Sequence, residues 1–414
     1  MPHKKSKLKN VDTKASQPAS QPAFLPKSYY PFLDGFRAIA IIMILAHHIR
    51  RAFGLDYLFV DNPPILKWVY FKSYENLGVN LTGFYKAIQY VISQLKGVLG
   101  LEIFFVISGF LITGILLRKD LDEGSVVRFY QRRFFRIYPN YALMVLVSLL
   151  IYEWQYHEGI TNTIVTAAYH LLFLQNYFPL NPLLAHTWSM VVLEQFYFFC
   201  PLVILAVNWK FPQPRNRRNV LIALCLLMML AAQLIQLYYF NTKQPVFTWP
   251  LKSTTPYWTI TANLGSISFG CLLALLEPYW SLWKNNKWWG VGLWVMGMAI
   301  FCYLFFVLDW SYYWGDWYLY TLGYLTVGLL ILAAYHGISL FARLECFQWL
   351  GRHSYGIYIW HYLVLEFWKI WIGTFPPEII IIGCFVTSIA AGVLSTNTIE
   401  RYFLTLRSKL VPSI

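Results

Sequence analysis

Apolar runs of about twenty residues recur along this chain, and a run of that length can satisfy its own backbone in lipid only as a helix. Ten can be marked, at about 32–50, 98–117, 138–154, 187–208, 220–240, 258–276, 288–308, 317–335, 348–370 and 378–398. The third is short and the ninth is rich in tyrosine. Across the whole chain 58% of residues are hydrophobic and 13% charged, about half the charged share of soluble domains. A water-soluble protein of that make-up would expose large apolar patches and aggregate. The expected fold class is all-α, a polytopic integral membrane protein with about ten transmembrane helices.

The net charge of +14 does not point to nucleic acid. Its lysines and arginines sit in short segments between the apolar runs, the pattern of cytoplasmic loops. With the N-terminus inside, the inner segments carry six (the tail), six (118–136), four (210–218), two, two and three basic residues. Outer segment 155–186 then carries none, 241–257 two and 309–316 none; the exception is 51–97, with five. Both termini are therefore expected in the cytoplasm. Residues 1–30, polar and rich in Lys, Pro, Ser and Gln, read as a disordered basic tail rather than a signal peptide. Residues 51–97 read as an extracytoplasmic insertion holding one amphipathic helix, and 406–414 as a second cytoplasmic tail. The six cysteines form no C-x-x-C pair, so packing thiols are expected and no metal site.

Polar groups inside a bilayer cost several kcal/mol when unpaired, which makes each a candidate for function or for a structural pair. In "LDGFRAIAIIMILAHHIRR", Arg37 and His48 are eleven residues apart. That spacing leaves them within ~20° on one helix face and ~16 Å apart in height. His47 is rotated ~80° away and reads as an interface residue, and Asp34 lies one turn from Arg37, able to pair with it. Glu102, at the start of the next span, lies at the expected depth of His48, where a carboxylate could support a basic imidazole. Arg133 and Arg136 share a face, with Arg132 and Arg128 nearby; arginine forks suit phosphate, and a lipid-held basic cluster is the plainer alternative. His186 is placed at the outer surface, with Glu194 ~12 Å deeper. Ser354, Tyr358 and His361 share one face of the ninth span, at a depth where His361 could meet His48.

The stretches "LDGFRAIAIIMILAHH", "LEIFFVISGFLIT", "FYQRRFFRIYP", "HTWSMVVLEQFY" and "LGRHSYGIYIWHYLVL", in that order over about residues 30–405, resemble the acyltransferase family 3 of membrane O-acyltransferases. The resemblance implies transfer of an acyl group from cytoplasmic acyl-CoA to an acceptor at the outer face, typically a sugar hydroxyl. The family's Arg-x10-His signature falls on Arg37 and His48, and its Arg-x-x-Arg signature on Arg133 and Arg136. Glu102 stands where the family usually has Asp. Val191 and Leu193 replace the Ser and Glu of the usual "SLSVEEQF", leaving Glu194 from an acidic pair. The extracytoplasmic esterase-like (SGNH) domain common in the family is not expected here.

These readings combine into one expected reaction. Acyl-CoA, with acetyl-CoA the default, docks its phosphates on Arg133, Arg136 and Arg132, with Arg37 beside them. His48, supported by Glu102 or Glu194, deprotonates a hydroxyl of a carbohydrate or glycolipid. His186, Trp188, Ser189, Ser354, Tyr358 and His361 line the acceptor side of the cavity. No bound cofactor is expected, and the location is a bacterial inner membrane. The rival reading is a transporter or flippase with a His/Arg/Glu relay, against which stands the absence of an inverted repeat or paired broken spans in the sequence.

Overall fold

A computed structural model describes residues 30–53, 97–117, 121–178, 181–242, 260–283, 286–307, 317–371 and 377–411. The expected tail and most of the expected insertion, at 1–29 and 54–96, lie outside the described residues. Helices of eight residues or more are α1 (Pro31–Ala52), α2 (Gly97–Leu116), α3 (Glu123–Tyr156), α4 (Ile160–Leu171), α5 (Trp188–Lys210), α6 (Pro214–Thr242), α7 (Ile260–Leu275), α8 (Lys287–Cys302), α9 (Trp317–Tyr335), α10 (Glu345–Arg352), α11 (Ser354–Trp371), α12 (Pro377–Ser395) and α13 (Arg401–Leu410). No strand occurs among the described residues. The chain is an all-α polytopic membrane protein.

Among the described residues, eight helical segments are long and apolar enough to cross a membrane. The two other expected spans are also helical, but α7 is only 16 residues long, and the ninth breaks at His353 into the short α10 and the 18-residue α11. The third span and the arginine cluster turn out to be one element. α3 runs for 34 residues, ~50 Å, so it overreaches a ~30 Å hydrocarbon core and carries its arginine turns beyond it. Asp122 caps it, accepting from the Ser125 amide at 2.7 Å, and Pro139 lies inside without ending it. The last helices also run on: a π-helical turn, Thr396–Glu400, joins α12 to α13.

Burial sorts these helices from centre to rim. The apolar windows of α1 and α2 are 72% buried, that of α6 only 22%. Outward-facing Leu150, Leu227, Leu234, Ile382 and Val386 are exposed, which in a protein of this class is the surface offered to lipid. Small residues bring the inner helices together, as expected where helix packing lacks a hydrophobic drive. A Cβ at Gly109 of α2 would strike the Ile267 carbonyl of α7, and one at Gly270 would strike the Val106 carbonyl in return. α1 sits among α2, α10 and α11: Gly97 meets the His47 ring near one end, and Gly351 meets Asp34 near the other.

Candidate active site

Polar side chains gather at both ends of α1, and the two groups differ in kind. At the Arg37 end, the Arg37 guanidinium donates to Asp34 Oδ1 at 2.7 Å. Arg136 and Tyr197 also lie in its field. Arg133 lays its guanidinium over the ring of Tyr197 at 4.4 Å and that of Phe129 at 5.6 Å, with Glu194, Arg136 and Arg37 around it. Arg407 of α13 faces Arg132 and Arg136. Three helices, α1, α3 and α13, thus converge arginines on one place, against Glu194 and Tyr197 of α5. Asp34, Glu194 and Glu400 stand against five arginines, and guanidinium forks are the side chains that suit anionic oxygens. Arg128 is used differently: it donates to Ser125 Oγ at 2.9 Å and serves the start of α3.

Three histidines meet at the other end. His48 Nδ1 lies 2.8 Å from His361 Nε2, and the two rings stack at 5.0 Å with 16° between planes. His186, on the 3-10 turn Pro182–Thr187, stands edge-on to His361 at 5.0 Å and stacks on Tyr362 at 4.6 Å. Tyr358, one turn before His361, donates its hydroxyl to the His186 carbonyl and shares a 2.7 Å hydrogen bond with Ser189 Oγ. The sequence stripe Tyr358–His361 thus projects inward, as its spacing requires, and His48 does not face lipid.

Protons on these rings can be placed by chemistry. His361 Nδ1 lies 2.6 Å from the Tyr358 carbonyl oxygen; a carbonyl only accepts, so Nδ1 carries the hydrogen. In the neutral ring Nε2 is then a lone pair. The hydrogen in the 2.8 Å contact therefore belongs to His48 Nδ1, and His48 Nε2 is left as the basic nitrogen. By the same argument His186 donates from Nε2 to the Ile359 carbonyl at 3.3 Å.

Several site residues expected together lie apart. Glu102 is not beside His48. Gly97 and Gly100 turn the neighbouring face of α2 toward α1, and Glu102 points the other way, its Cγ 3.4 Å from where a Cβ on Gly323 of α9 would stand. Ser266 of α7 and Tyr324 of α9 are beside it. Glu194 belongs to the arginine group, next to Arg133, so the partner of His48 is His361 and neither carboxylate. Ser354 opens α11 three residues after Gly351, which abuts Asp34; it lies one turn, ~6 Å, from Tyr358 on the side toward Asp34. Trp188 faces Phe105 of α2 at 6.4 Å.

Sequence reasoning passed over a buried network between the two ends. Trp360 Nε1 donates to Asn140 Oδ1 and Ser395 Oγ, each at 3.0 Å. Ser395 donates to Asn140 at 2.9 Å, and Asn140 Nδ2 to Glu400 at 3.2 Å. Arg136 lies in the field of Glu400. The legible signal was Asn140, a lone amide inside the third span.

A bundle with an arginine-rich end and an imidazole end, both built on one buried helix, defines a class: polytopic membrane proteins with a polar, titratable site held inside their helices. The chain belongs to the acyltransferase 3 family, whose acyltransferase domain matches residues 30–396. It is 26% identical over 392 residues to the O-acetyltransferase OatA of Staphylococcus aureus, covering 88% of this chain and 56% of that protein. It is 27% identical over 365 residues to the peptidoglycan O-acetyltransferase OatA of Listeria monocytogenes, covering 82% and 50%. The chain thus matches little more than half the length of these relatives. No solved structure matches it.

Proposed function

We propose that this protein moves an acyl group, acetyl in the first instance, from cytoplasmic acyl-CoA to a hydroxyl of an extracytoplasmic carbohydrate or glycolipid. One observation supports the reading above others: α1 carries Arg37 in the arginine group and His48 in the histidine group, ~16 Å apart along one helix. The phosphates of CoA are held by Arg133, Arg136 and Arg132, with Arg37 beside them, and the thioester reaches toward His48 between the helices. The charged carrier then never crosses the bilayer; only its acyl end does.

His48 Nε2 takes the proton of the acceptor hydroxyl. The oxygen bonds to the thioester carbonyl carbon, the carbon–sulfur bond breaks, and the CoA thiolate takes the proton back from the imidazolium. If the acyl group stops first on a protein hydroxyl, the same base serves each half of the reaction. The name of the Listeria relative makes peptidoglycan fragments the first acceptor to try.

The test uses proteoliposomes of the full chain with radiolabelled acetyl-CoA on the arginine side and muropeptides on the histidine side. Label is expected on the muropeptides, and the His48→Ala protein, shown to be folded and inserted, is expected to transfer none. Normal transfer by His48→Ala, or solute uptake independent of acyl-CoA in place of transfer, would overturn the proposal.

A further inference from the structure

We propose that His361 is the positioning residue of His48, holding it in the tautomer that presents Nε2 as the base. The proposal rests on His48 being that base. The imidazole therefore takes a place that a carboxylate fills in many hydrolases.

Both local candidates for a carboxylate partner are committed elsewhere, Glu102 toward Gly323 and Glu194 toward Arg133. What meets His48 Nδ1 is an imidazole nitrogen whose own orientation is fixed from behind. The Tyr358 carbonyl takes the hydrogen of His361 Nδ1 at 2.6 Å. The Tyr358 ring is tied in turn to the 3-10 turn through the His186 carbonyl and to α5 through Ser189. His361 is fully buried and so has no solvent with which to change partners. Three elements thus determine one proton position on α1.

A neutral partner has a physical advantage here. A carboxylate at this depth would need its own counter-charge or cost several kcal/mol to bury, whereas an imidazole brings no net charge. It still answers the reaction. When His48 accepts the acceptor's proton, its Nδ1–H becomes a charged donor, and a hydrogen bond to an ionised donor is roughly twice as strong as a neutral one. The bond to His361 therefore strengthens as the transition state is approached, which is the condition for a contact to raise kcat rather than lower KM.

The experiment combines a structural readout independent of activity with kinetics on the full chain. The 15N spectrum of histidine-labelled protein in detergent, with His48 assigned through His48→Gln, is expected to show hydrogen on Nδ1 and a bare Nε2. His361→Ala is expected to lose that preference. His361→Gln, whose amide oxygen can accept from Nδ1, is expected to keep it. In the proteoliposome assay His361→Ala is expected to lower kcat about 100-fold, the scale of general-base catalysis. KM for acetyl-CoA should stay within about twofold, because the donor phosphates are held elsewhere. His361→Gln should recover at least about tenfold of the lost kcat. Hydrogen on Nε2 of His48 in the wild-type protein would overturn the proposal. So would His361→Gln being no better than His361→Ala, or an unchanged kcat in His361→Ala. Normal transfer by His48→Ala would remove the base reading and this proposal with it; a failed spectrum with an inactive His48→Ala removes this proposal alone.

Discussion

The guanidinium of Arg133 lies over the ring of Tyr197 at 4.4 Å, and the hydroxyl of that same tyrosine donates to Ser108 Oγ on α2 at 3.0 Å. One aromatic ring therefore fixes an arginine of α3 by its face and a serine of α2 by its edge. A ring contact occupies the face of the guanidinium and not the donors at its rim, so Arg133 can face Glu194 and an anion from the same group. Replacing Arg133 with alanine is expected to raise KM for acetyl-CoA about tenfold or more with a smaller change in kcat. Lysine is expected to restore little, since a point charge neither stacks nor forks. Steady-state kinetics in proteoliposomes checks both. An unchanged donor KM in Arg133→Ala would place the phosphates elsewhere.

How much of this was legible beforehand follows from what a sequence spacing can and cannot fix. The Arg37–His48 alignment depends only on helical pitch, and α1 is helical throughout Pro31–Ala52, so both ends of the site were in view. The shared face of Ser354, Tyr358 and His361 was read the same way, and all three lie on α11, which begins at Ser354 after the break at His353. Glu102 was matched to His48 by depth alone. Depth does not give direction, and the glycines at 97 and 100 decide which face of α2 meets α1. The His48–His361 contact joins residues 313 apart, a pairing no periodicity within one helix can supply.

Asn140 is a hub among α3, α11 and the π-turn, receiving from Trp360 and Ser395 and donating to Glu400. Its replacement by leucine leaves the Trp360 and Ser395 donors with fewer buried partners, at about 1–3 kcal/mol for a polar group so stranded. Asn140→Leu is expected to lower the melting temperature in detergent. Transfer should fall as well, because Trp360 adjoins His361 on α11. Asn140→Asp keeps an acceptor for Trp360 and should cost less of the Trp360 contact. Equal stability of Asn140→Leu and wild type would mean the network holds nothing together.

Gly109 and Gly270 let α2 and α7 touch backbone to backbone. Leucine at either position must push the helices apart, and overpacking of even a deformable core costs about 1–3 kcal/mol. Both variants are expected to give reduced monodisperse protein on fluorescence-detected gel filtration. Gly292→Ala on α8 is the control, since nothing stands within 4 Å of its added carbon. A normal profile for Gly109→Leu would show that the α2–α7 crossing is not needed for folding.

Glu102 gives the sharpest contrast with the expectation from sequence. It is fully buried and lies deeper than His48, because Gly97 already meets His47 and Gly100 meets Ala40 and Ile44, and it faces Gly323 and Ser266 across the opposite side of α2. If it supported the base through space, removing its charge would alter His48 directly. The observed direction predicts otherwise: Glu102→Gln keeps the volume against Gly323, and the 15N pattern of His48 should match wild type. Gly323→Leu should disturb the Glu102 side of α2 and lower stability by overpacking, about 1–3 kcal/mol, again without moving the hydrogen on His48. A shift of that hydrogen to Nε2 in Glu102→Gln would mean that the carboxylate reaches the imidazole after all, and that α2 rotates between the resting arrangement and the one that reacts.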